Sequence, residues 1–115
     1  MLKITRDSRQ CRVELFQGTR LNTLFSGLVK QQLRELVEEP GTFVVFDLEG
    51  IRFIDTAGFE MLREITNHAN LYGSRFRLCN IGDDVKELII LLRLETQLSF
   101  CDCMNIEEKI QVVLD

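Results

Sequence analysis

The sequence predicts an α/β fold, a single-domain mixed β-sheet of four to five strands flanked by about four α-helices, and three observations carry that prediction. The chain opens with two segments of period-two hydrophobicity, "LKIT" and "CRVELF". A run of consecutive apolar residues, "FVVF" at 43–46, follows a stretch with helical spacing. From there strand-like and helix-like segments alternate. Such alternation favours a sheet with parallel crossovers, and two opening strands joined by a short turn add an antiparallel edge.

In the opening strands Leu2 and Ile4, then Cys11, Val13 and Leu15, share one side, and the polar Asp7-Ser8-Arg9-Gln10 supplies the turn. From Leu24 the period changes. Leu24, Phe25, Leu28, Val29, Leu33, Leu36 and Val37 fall on one helical face, opposite Lys30, Gln31, Arg34 and Glu35. Asn22 or Thr23 can cap this helix, and Pro40-Gly41 stops it. "TFVVFDL" suits a central strand covered on both faces. After Glu49-Gly50 and the short "IRFI", a second helix carries Phe59, Leu62, Ile65, Ala69 and Tyr72 as its buried stripe and ends at Gly73. "SRFRLCNI" alternates again, with Phe76, Leu78 and Asn80 opposite Arg75, Arg77 and Cys79. Asp83-Asp84 begins a third helix, where acids favour the exposed amides. A short strand "LSFC" and a helix over residues 105–114 complete the order.

At 115 residues the chain is sized for one domain, taken as residues 1–115, with enough apolar content to bury a core. Its net charge of -4 and scattered basic residues give no footprint for a polyanion, so nucleic acid is not expected as a partner. No signal-peptide pattern and no membrane-length apolar run appears, which points to the cytoplasm and to no direct membrane insertion. Cys11, Cys79, Cys101 and Cys103 are expected as reduced thiols. Cys101-Asp102-Cys103 lacks the spacing and the second ligand pair of a zinc site, so no metal is expected.

The stretch that concentrates chemistry is "FIDTAGFEML", residues 53–62. It has a structural reading. Asp55 caps the helix, Ile54 and Phe59 have the spacing of a hydrophobic staple, and Gly58 lets the first turn approach a neighbour. It also has a functional one. A hydroxyl between a strand and a helix N-terminus stands beyond the strand's carboxyl end, where free amides and the helix dipole would tolerate a phosphate on Thr56. Asp55 would orient that hydroxyl or accept its proton. No Gly-rich phosphate loop or nearby lysine equips the chain to transfer phosphate itself, so no enzyme and no cofactor is expected, and the donor would be another protein.

Over residues 18–100 the sequence resembles the STAS domain, and specifically the bacterial anti-sigma factor antagonists. The resemblance rests on a buried strand ending in Asp47-Leu48, on "FIDTAGF" in place of a Phe-Ile-Asp-Ser-Ser-Gly-Leu motif, on a helix ending at Gly73, and on a Val-x-x-Leu helix from Val85 to Leu88. It implies that Thr56 is the phosphoacceptor of a partner anti-sigma kinase of the GHKL type. The unphosphorylated form would bind the anti-sigma factor and free the sigma factor, and the phosphorylated form would let go. The resemblance places Asp55, Thr56, Gly58, Phe59 and Asn22 among the partner contacts.

The sequence also departs from that pattern. Thr56 stands for the commoner Ser and Ala57 for a second hydroxyl, so "DTAG" also resembles the Asp-Thr-Gly-Gly form of STAS subunits in lipid-transport ATPases, which bind the ATPase of an ABC transporter. The early Gly-x-Leu-Asp turn appears as Gly18-Thr19-Arg20-Leu21-Asn22, and Arg93 stands where a Gly is usual. A small-ligand sensor is a further alternative. "LIILLRL" at 88–94 has more apolar residues than one stripe needs, which leaves either a covering C-terminal segment or exposure of Leu91 for docking. His68 reads as an unpaired surface imidazole.

Overall fold

In the computed structural model the described residues are 2–15, 20–21 and 23–100, with backbone alone for 20–21 and 23–26. The elements in chain order are β1 (Leu2–Asp7), β2 (Gln10–Leu15), β3 (Arg20–Leu21), α1 (Thr23–Val37), β4 (Phe43–Asp47), β5 (Phe53–Ile54), α2 (Thr56–Leu71), β6 (Arg75–Cys79) and α3 (Asp83–Leu91). The expected helix at 105–114 lies outside the described residues.

The main sheet has the order β1-β2-β4-β6, antiparallel between β1 and β2 and parallel thereafter. Ser8 and Arg9 form the hairpin turn, with Ser8 at φ 59. A parallel bridge from Leu78 to Phe100 extends the β6 edge where "LSFC" predicts a short strand. The two-residue β3 and β5 pair in parallel as a separate ladder.

Register places Cys11, Val44 and Phe76 in one row and Val13, Phe46 and Leu78 in the next, all buried on one face. Val29, Leu33 and Val37 of α1, Phe59, Leu62, Ile65 and Ala69 of α2, and Val85 and Ile89 of α3 belong to the same core. Each Val, Leu, Ile or Phe side chain among them contributes about 1.5–3 kcal/mol on removal from water. The opposite face is more open than a strand covered on both sides. Phe43 and Val45 are half-buried, and the Arg75 guanidinium lies 5.4 Å from the Phe43 ring centroid, so a cation supplies part of the cover.

Four expectations need correction. Leu28 is 62% exposed because it lies about 100° around the helix from Val29, outside the narrow Val29-Leu33-Val37 line. Tyr72 leaves the buried stripe of α2 because it is the C-cap, where its ring packs 4.9 Å from that of His68. His68 is not unpaired: its Nε2 lies 2.7 Å from the Glu38 carboxylate and ties α2 to the end of α1. Cys79 is buried with Phe76 and Leu78, since its row with Asp47 sits where the loops close over the end of the sheet. Neither Cys11 nor Cys79 is in a disulfide.

Candidate functional site

The parallel strands β4 and β6 end in register at Asp47 and Cys79, and the loops that leave them run to the starts of α2 and α3. Between these loops is a cleft of about 550 Å³ lined by Gly50, Ile51 and Arg52 on one wall and Gly82, Asp83 and Asp84 on the other. Crevices beyond the carboxyl ends of parallel strands are where α/β folds place their sites.

At the start of α2, Asp55 is the N-cap in extended conformation, φ -86 and ψ 178, and its Oδ1 accepts the Gly58 N–H at 2.8 Å. The Asp55 carbonyl accepts the Phe59 N–H at 3.0 Å and begins the helix. An acid here both satisfies an amide that has no intrahelical partner and lies at the positive end of the dipole. Ile54 and Phe59 flank the cap, and both are in the core. The staple spacing in the sequence therefore has its physical counterpart.

Thr56, the first residue of the helix, is exposed, and Ala57 and Asp55 are half-buried. Gly58 is buried and contributes backbone alone. Phe59, expected among partner contacts, lies in the core at 3% exposed and supports the motif from behind. Asn22 lies outside the described residues. The structure thus brings Asp55 and Thr56 together at the surface and withdraws Phe59 from it. One turn on, Glu60 binds the Arg63 guanidinium, which raises the Arg63 pKa, and both remain at the surface.

The α3 side differs. Gly82 is the N-cap with no side-chain hydrogen bond, and Asp83 and Asp84 occupy the first turn. Arg52 reaches across the cleft to within 3.8 Å of Asp84, both well exposed, so this ion pair adds little. Further along, Ile90, Leu91 and Leu92 are exposed, Leu91 at 76%, and the C-terminal segment that the sequence offers as a cover for "LIILLRL" lies outside the described residues.

A further cluster had only a faint sequence signal, an acid ending an apolar strand. Asp47 is 5% exposed. Its Oδ2 accepts from Arg12 of β2, and its Oδ1 accepts from the Glu49 N–H at 2.9 Å and the Asn80 Nδ2 at 3.0 Å. Burial works against the charge of Arg12, but Asp47 and other nearby anionic groups outweigh it and hold the Arg12 pKa above its ordinary value.

Among the described residues, no three His, Cys, Asp or Glu side chains gather as metal ligands, and no helix is long and apolar enough to cross a membrane.

A family model described as "STAS domain" matches residues 18–112. No curated protein matches. Among solved structures, an anti-sigma-factor antagonist (STAS) domain protein from Planctomyces limnophilus superposes with a TM-score of 0.73 at 15% identity, over 87% of each chain. The anti-sigma factor antagonist SpoIIAA in its unphosphorylated form gives 0.70 at 13% identity over 88% of each chain. Its phosphorylated form, from Bacillus, gives 0.65 at 12%, over 88% of this chain and 91% of that one. The murine anion transporter Slc26a9 gives 0.61 at 18%, over 76% of this chain but 14% of the transporter.

Proposed function

Since this chain belongs to the STAS domain family, we propose that it is a protein-binding module of the anti-sigma factor antagonist kind, acting in the cytoplasm without catalysis of its own and switched by phosphorylation of Thr56. The observation that carries this reading is the exposure of Thr56 at the first position of α2, directly after the capping Asp55.

The physical argument runs from the two sides of a phosphorylation. Before it, Thr56 presents a neutral hydroxyl at the surface, just after the loop that forms one wall of the cleft, and α3, which starts at the other wall, carries the exposed Leu91. A partner can bury these groups at modest cost. Phosphate adds about -1.5 to -2 charge. The free chain tolerates that charge at a helix N-terminus, where amides and the dipole face it. A complex fitted to the neutral hydroxyl does not, because Asp55 is adjacent and repels the new dianion unless water separates them. Modification therefore leaves the module folded and breaks the interface. The donor would be a GHKL-type anti-sigma kinase, which also supplies the ATP site.

"DTAG" and the likeness to a transporter's domain favour a second reading, a regulatory module of a transporter in which Thr56 contacts the partner, such as an ABC ATPase subunit, and is never phosphorylated. One experiment separates the two. The protein is incubated with ATP and the GHKL-type kinases of its own genome, and any phosphate is mapped by mass spectrometry. One phosphate on Thr56, absent from Thr56→Ala and accompanied by loss of kinase capture, is the expected result. Stable capture of a transporter ATPase with no phosphate on Thr56 overturns it.

A further inference from the structure

We infer that Asp47 is the positioning residue of the site, a single buried carboxylate that sets the distance between its two walls. For its functional consequence this rests on the reading of Thr56 above, but the positioning itself does not.

The inference starts from where the sheet stops. Leu48 N–H donates to the Cys79 carbonyl at 2.9 Å, the last rung that joins the β4 and β6 segments. Beyond it the two loops diverge. The first turns back on itself, with Ile51 N–H donating to the Leu48 carbonyl at 2.9 Å and Gly50 at φ 86, and then leads through β5 to Asp55 and Thr56. The second passes through Asn80 at φ 56 and Ile81 to Gly82, the N-cap of α3.

One oxygen holds both. Asp47 Oδ1 accepts from the Glu49 backbone on the first loop and from the Asn80 side chain on the second. The other oxygen is fixed by Arg12 from β2, so the carboxylate cannot rotate away from the loops without giving up an ion pair. A carboxylate suits this task because it accepts several bonds at once and donates none. Burial at 5% exposed makes each bond matter more than at the surface, since a lost partner leaves a desolvated charge.

Asn80 fits the same logic. A left-handed φ costs most side chains energy, and Asn is among the few that adopt it while bonding locally. Here that conformation aims its amide back at Asp47. The start of α2 has its own side-chain cap and a core-buried staple, whereas the start of α3 has neither. Among the described residues the Asn80 tether is a part-buried side-chain bond to the α3 wall, whereas the Arg52–Asp84 ion pair is exposed and adds little.

Two variants test this, with amide hydrogen exchange read residue by residue by NMR. Asn80→Gly keeps the left-handed backbone and removes only the tether, so it should free one wall. The Lys86 N–H, which donates to Gly82, is expected to exchange about fivefold faster or more, with the Ile51 N–H unchanged within about twofold. Asp47→Ala should free both walls and speed Ile51 and Lys86 together. Leu78 N–H, bonded to the Ser99 carbonyl on the edge of β6 away from β4, takes no part in either loop; it is the control and should hold its rate in Asn80→Gly. Should Asp47→Ala not fold, Asn80→Gly decides alone. An unchanged Lys86 rate, or equal acceleration of Ile51, Lys86 and Leu78, overturns the inference. A functional arm follows the rate of Thr56 phosphorylation by the kinase identified above, expected to fall severalfold in Asn80→Gly. If the wild type accepts no phosphate, the reading of Thr56 fails, and the exchange pattern still judges Asp47.

Discussion

The helices α2 and α3 both begin at the candidate site, yet they are held in opposite ways. α2 has sixteen residues, a side-chain cap at Asp55 and seven buried residues along its length. α3 has nine residues, no side-chain cap and two buried residues, Val85 and Ile89. Most of what fixes α2 is packing behind it, so its first turn can present Thr56 at the surface in one geometry. α3 instead spends its apolar residues outward, at Ile90, Leu91 and Leu92. Contiguous exposed apolar residues of this kind mark contact surfaces more often than stability. The contrast suggests a division of labour: α2 is the rigid mount of the switch, and α3 is the surface a partner reads.

The largest expected effect breaks the mount. Leu62 is fully buried in α2, and Leu62→Ala should cost about 2–5 kcal/mol, seen as a lower urea midpoint with an unchanged m-value. Leu91→Ala should stay within about 0.5 kcal/mol of the wild type and instead weaken capture of the partner. Equal losses of stability from the two substitutions would mean that α3 is packed as tightly as α2, and the division of labour would fall.

A smaller effect tests the cap. Asp55→Ala should lower stability by about 1 kcal/mol by freeing the Gly58 N–H, and Asp55→Asn should recover most of it because the side-chain oxygen remains. In the phosphorylation assay the two should behave alike if the carboxylate charge matters to Thr56, since both remove it. Asp55→Asn therefore separates the structural role of this residue from its electrostatic one. Full activity in Asp55→Asn would leave Asp55 as a cap alone.

How much of this was legible in the sequence follows the strength of local signals. β4 is an unbroken apolar run and α2 and β6 carry clear periods, and each appears where the pattern puts it. The Asp55 cap was legible because N-caps follow from residue type and a fixed offset of three. β3 and β5 were not, since a two-residue ladder has no period and forms only when tertiary packing brings its strands together. The burial of Phe59 was half legible. Its staple spacing with Ile54 pointed inward, while the family pattern pointed to a partner, and the structure follows the spacing. The Asp47 cluster is the least legible part. Arg12, Asp47 and Asn80 stand 35 and 33 residues apart, and only the parallel register of β2, β4 and β6 places them side by side.

The two helices also end alike in geometry and unlike in residue, and this sharpens the comparison. Ser74 N–H donates to Ala69 and Gly73 N–H to Asn70, while Leu94 N–H donates to Ile89 and Arg93 N–H to Ile90. Both are Schellman endings, in which the residue after the C-cap must take a left-handed φ. In α2 that residue is Gly73 at φ 71, and in α3 it is Arg93 at φ 57. A Cβ at Gly73 would meet nothing within 4 Å, so Gly73→Ala is penalised by backbone strain alone and should cost about 1 kcal/mol. Arg93→Gly should do the reverse. It relieves a strain of roughly 1–2 kcal/mol but loosens the unfolded chain by about 0.5–1, for a net gain of about 0.5 kcal/mol. Arg93→Ala is the control, because it removes the same side chain and keeps the strain. A gain in the urea midpoint for Gly and none for Ala would show that α3 carries an avoidable strain at its end. Equal shifts for both would trace the effect to the guanidinium instead. If the strain is real and the gain in stability comes with weaker partner capture, then the loose attachment of α3 is part of how its apolar surface is presented.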